Sequence, residues 1–115
     1  MKFSENIFDN ASCAQNGTVD SVVIPIAVEE DAPLWKFTFQ WEFTSAGAAT
    51  MKFEVLTSID GANFHNLDTD IVTGAAKDTV LMADFDPTFC HFVKIRGTEE
   101  NTAAVTGLYG SLAMG

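Results

Sequence analysis

Basic residues are scarce in this 115-residue chain: six Lys and Arg stand against 16 Asp and Glu, a formal charge of −10. A duplex-binding surface must neutralise several phosphates, and this excess of acid repels them, so nucleic acid is excluded as a partner. Anionic membrane is disfavoured for the same reason. Long apolar runs are missing too, and none approaches the ~20 residues that span a bilayer. The opening Met1-Lys2-Phe3-Ser4-Glu5-Asn6 is interrupted by polar residues where an export signal needs its apolar core. The expectation is a soluble protein made in the cytoplasm without a signal peptide. Cysteine is limited to Cys13 and Cys90, neither paired with His at metal-ligand spacing. Zinc is therefore not expected, and in a reducing cytosol free thiols are the default. No stretch sustains apolar residues at i, i+3, i+4 and i+7, which removes the helix as the main element.

What the chain does have is aromatic and β-branched. Phe occurs ten times, and Trp35, Phe37, Phe39, Trp41 and Phe43 alternate with Lys36, Thr38, Gln40 and Glu42. Side chains on a strand switch faces at each residue, so this segment is a strand with one aromatic and one polar face. Met51 to Thr57 repeats the pattern, and the small residues between the two predict an antiparallel hairpin. Asp60-Gly61 reads as a tight turn. Further strands are expected near Phe64 to Leu67, over Thr79 to Ala83, over Phe89 to Arg96 and over Ala103 to Met114. Val22 to Val28 carries Pro25, which cannot donate to a ladder, and so reads as an edge strand. Phe3 to Phe8 adds a strand, or residues 1–17 form an N-terminal arm. Seven to eight short strands in one domain over residues 1–115 predict an all-β fold, an antiparallel two-sheet β-sandwich of jelly-roll-like form.

No constellation for catalysis emerges. Cys90 and His91 are sequence neighbours on a strand and point to opposite faces, so they form no dyad. His91 is read as packed on a sheet face and His65 as lying in a solvated loop. Asp60, Asp68, Asp70, Asp84 and Asp86 sit in expected turns, yet none matches an EF-hand spacing. No enzyme, cofactor or metal site is expected. The patterns Asn10-Ala11-Ser12 and Asn16-Gly17-Thr18 fit glycosylation sites but are taken as coincidental without an export signal. The aromatic stripe is assigned to the core, since exposing it would create an apolar patch far beyond that of a soluble monomer.

Asn16-Gly17-Thr18 ahead of the first strong strand, the aromatic central strand, Ser58-Ile59-Asp60-Gly61-Ala62-Asn63-Phe64 and the glycine-punctuated last strand carry a resemblance. In these the chain resembles the small β-sandwich structural proteins, decoration or tail-associated, of tailed bacteriophage virions. The resemblance implies a non-catalytic virion component that contacts capsid or tail proteins, forms a homo-oligomer with a trimer as the natural symmetry, and resides in the virion. Phe3, Ile7, Phe8, Val23 and Pro25 are the candidate interface. The same Asp-Gly turn also looks like one in discoidin-like, carbohydrate-binding sandwiches, whose loop site would comprise Asp60, Asn63, Phe64 and His65. A third reading, an adaptor that lays its acidic surface on a basic partner, rests on charge alone.

Overall fold

The computed structural model describes residues 3–25, 37–45, 47–66, 70–76, 81–85 and 91–114. They form nine β-segments: β1 (Phe3–Cys13), β2 (Thr18–Asp20), β3 (Ile24–Pro25), β4 (Phe37–Thr44), β5 (Thr50–Ser58), β6 (Asp70–Ala76), β7 (Leu81–Phe85), β8 (Phe92–Glu99) and β9 (Val105–Met114). One sheet has the order β1-β9-β4-β7; the other has β2-β8-β5-β6, with β3 also on β8. All pairings are antiparallel. β2 pairs with Thr98 to Arg96 and β3 with Val93 and Phe92, so the two act as one interrupted strand along β8. Counted so, the first strand pairs with the last, the second with the one before it, and so on inward. That nested winding across two sheets is the jelly roll, as the alternating pattern led us to expect.

The core lies between the sheets. Phe39, Trp41 and Phe43 of β4 are buried, as are Met51, Phe53 and Val55 of β5. Phe53 meets Phe39 edge-on with ring centroids 5.0 Å apart and lies 5.3 Å from Trp41. Such pairs contribute about 0.5–1.5 kcal/mol each beyond the burial of their area. Among the described residues the Trp41 indole N–H is buried without an acceptor. Leaving that donor unmade costs about 1–3 kcal/mol, which burial of the large ring offsets.

These contacts correct the expected hairpin. β4 and β5 lie in different sheets and face each other across the core, because each has an apolar face that needs an apolar partner. The linking segment is held elsewhere: the Ser45 hydroxyl donates to the Ala104 carbonyl at 2.7 Å. The room for so many rings comes from two glycines. A Cβ on Gly97 would lie 2.6 Å from Met51, and one on Gly110 2.9 Å from both Phe8 and Phe39.

Of the two readings of the N-terminus, the strand holds and the arm does not. Phe3–Cys13 is an integral edge strand, paired with β9 from Phe3↔Met114 to Cys13↔Val105. Its register slips between Asn6 and Phe8, so Ile7 is an extra residue. The bulge lets consecutive Ile7 and Phe8 both be buried and turns the Ile7 carbonyl outward to accept the Val22 N–H from the other sheet. β6 was not anticipated, and the expected strand at Phe64 to Leu67 is reduced to a bridge between His65 and Thr57. Trp35, Ile26, Val28, Phe89 and Cys90 lie outside the described residues.

Candidate functional site

The turn after β5 is organised by one carboxylate. Asp60 Oδ1 accepts from the Ala62 and Asn63 amides at 2.8 and 2.9 Å and from the Ser58 hydroxyl at 2.9 Å; Oδ2 accepts from the Asn63 side-chain amide at 2.8 Å. Gly61 takes φ 79°, a conformation glycine adopts without strain, and its amide donates to Ser58 Oγ. The Asn63 and Ala62 amides hold the Asp60 carboxyl well below the usual carboxylate range. Asp60 and Asn63 are thus committed to each other, leaving little of either for a ligand.

The same turn curls over the outer face of the second sheet. A Cβ on Gly61 would touch Phe92 at 3.2 Å, and Lys94 Nζ stands 4.4 Å from the centre of the half-buried Phe64 ring. Lys94 also pairs with Asp20 at 3.0 Å, and Arg96 grips both oxygens of Asp20 at 2.7 and 3.0 Å. The Arg96 hydrogen bonds lower the Asp20 pKa. Of the four residues of the expected loop site, only His65 presents an exposed ring. His91 is exposed just before β8 and not packed on a sheet face, its amide donating to the Ser58 carbonyl.

The candidate interface divides. Ile7 and Phe8 belong to the buried core cluster, so they offer no surface to a partner of the folded chain. Phe3 lies in β1 opposite Met114. Val23 and Pro25 are exposed at the sheet edge, next to Val22, which is 51% exposed, and Ile59 adds a side chain 77% exposed beyond β5.

One feature was missed. At the far end of the sandwich Glu99, 1% exposed, accepts four backbone amides: Asn16 and Ala103 on Oε1 at 3.1 and 2.9 Å, Thr50 and Asn101 on Oε2 at 3.2 and 2.7 Å. Burial alone pushes its pKa up, but the four amides outweigh it and hold the group at about 2. Asn16 and Thr102 hydrogen-bond beside it, and Asn101 donates to the Ala48 carbonyl. Cys13 Sγ, a buried free thiol, lies 3.3 Å from the Gly17 carbonyl, and burial pushes its pKa up. Tyr109, which the carbohydrate-binding reading expects exposed in a loop beside Phe64 or His65, is exposed instead on the outer face of β9. Alternation carried a signal for both: Val93, Ile95 and Gly97 point inward and so put Glu99 inside, and Leu108 and Gly110 put Tyr109 outside.

No family model matches the sequence, and no curated protein matches it either. The fold does have solved counterparts. The chain superposes on the VP2 subviral particle of infectious bursal disease virus with TM-score 0.67 and 11% identity, over 99% of this chain and 32% of that one. A T13 viral particle of the same virus gives TM-score 0.57 and 12% identity over 98% of this chain and 30% of the other. Latent PorU from Porphyromonas gingivalis, at TM-score 0.52 and 11% identity, is matched over 98% of this chain and 12% of that one. The chain spans about a third of the length of the viral proteins it superposes on. At such identity the likeness concerns the jelly roll itself.

Proposed function

We propose that this chain is a non-catalytic virion structural protein, a capsid-decorating or tail-associated building block of the tailed-phage kind that acts through protein–protein contacts. The reading is carried by the nested jelly roll, nearly all of which overlies part of a VP2 chain. Strands and tight turns take up most of the described chain, and the exposed apolar residues Val22, Val23 and Ile59 sit at edges and turns, where a neighbouring subunit can cover them. The chain closes a symmetric homo-oligomer, with a trimer as the expected form, and resides in the virion.

Sedimentation of the purified chain at rising concentration, with immunodetection of it in the particle fraction of lysed producer cells, tests this. A closed oligomer and co-sedimentation with particles are expected. A strict monomer at high concentration that is also missing from the particles overturns the reading.

A further inference from the structure

Tyr109 is the chain's one tyrosine, and it stands in mid-strand with 44% of its surface exposed. Its register partner is Glu42, and the next outward-facing pair on the same two strands is Gln40 with Ser111. With Trp41 and Gly110 these residues line an open recess of about 120 Å³. Small-molecule sites begin at about 300 Å³, so the recess is sized for the end of a single side chain. The Ser111 hydroxyl is fixed by donating to Asn6 Oδ1 at 2.8 Å, which leaves its oxygen facing the recess as an acceptor.

Charge says which side chain. The exposed charged side chains described on the four strands of this sheet are the acids Asp9 and Glu42, and these strands contain no lysine or arginine. The described cations, Lys52, Lys94 and Arg96, all belong to the other sheet. We propose that the outer face of the first sheet docks a basic protein surface and seats one of its arginines in this recess. The guanidinium stacks on the Tyr109 ring, a cation–π contact, and its N–H fork donates to the Glu42 carboxylate. A second copy of this chain is a poor occupant, because its one arginine, Arg96, is already gripped by Asp20 at 2.7 and 3.0 Å. The occupant is a different, basic chain. In its biological setting this proposal rests on the virion reading, with a neighbouring virion protein as the partner.

A single tyrosine makes the test direct. The intact chain, labelled in its tyrosine ring, is titrated by NMR with a hexa-arginine peptide. The Tyr109 ring signal is expected to move. Glu42→Gln is expected to weaken binding about tenfold, as loss of a charged hydrogen bond does. Glu100→Gln removes the same charge at the distant loop end, where the effect is screened to about twofold or less. Equal weakening by the two variants means that overall charge alone attracts the peptide, and overturns the proposal; so does a ring signal that stays still. A signal that moves with maltoheptaose and not with hexa-arginine overturns it in favour of a glycan site. Retention of Glu42→Gln on particles as strong as that of the unaltered chain overturns the docking site while the virion reading stands. Absence of the chain from particles removes the virion reading and leaves the titration result in force.

Discussion

Glu99 and Asp60 stand at opposite ends of the β5–β8 pair, near Met51↔Glu99 and Ser58↔Phe92, and both gather backbone amides around a carboxylate. Asp60 is exposed, and its partners are Ser58, Ala62 and Asn63, all within its own turn. Glu99 is buried, and its partners lie in or at the edge of three separate connections: β1 to β2 at Asn16, the start of β5 after the β4–β5 link at Thr50, and β8 to β9 at Asn101 and Ala103. The same chemistry therefore works at two ranges. A local carboxylate shapes one loop and is dispensable to the others. One shared by three loops makes each depend on the rest, and its removal takes the acceptor from all three at once.

Substitution separates the two most sharply. Glu99→Ala is expected to cost about 3 kcal/mol, read as a shift in the urea midpoint without a change in slope, because four amides lose one charged acceptor together. Acidification comes next. Glu99 is held at about 2 in the folded chain and titrates in the ordinary carboxylate range when unfolded. Its stabilisation is complete above that ordinary range and is lost as the pH falls towards about 2, since the unfolded chain takes up the proton first. A pH series of melts should show this loss, and Glu99→Gln should flatten it. A Glu99→Gln profile as steep as that of the unaltered chain would sink the assignment.

Asn16→Ala should fall in the middle, at about 1–2 kcal/mol. It removes the pairing with Thr102 and places alanine at φ 54°, where a Cβ is crowded. Asp60→Ala should have the smallest global effect. Hydrogen exchange is expected to quicken at the Ala62 and Asn63 amides while those of β8 keep their protection. If β8 loosens equally, the turn is not the local unit described here.

The alternation that identified β4 and β5 as strands reports burial of one face, and the buried faces were therefore legible. It does not report which strand lies alongside, and so the two were expected as a hairpin when they pack face to face. β6, Asp70-Ile71-Val72-Thr73-Gly74-Ala75-Ala76, escaped notice because small residues and a glycine replace the polar–apolar rhythm. Glu99 beside Glu100 reads as a solvated acidic pair until the inward run Val93, Ile95, Gly97 is continued by one step. The tight turn at Asp60 was legible from Asp-Gly, but not that its carboxylate would be used up inside the turn. Ile7 and Phe8 looked like an arm because a bulge, invisible in composition, lets neighbours share one face.

The place of β9 has a consequence for synthesis. It lies between β1 and β4, so β1 waits for a strand about 100 residues further along the chain before its ladder can form. On the ribosome the aromatic face of β4 emerges long before its neighbour exists. Pairings so distant in sequence slow folding and prolong exposure of apolar surface. The excess of negative charge works against that exposure, since like-charged copies repel one another until β9 takes its place between β1 and β4.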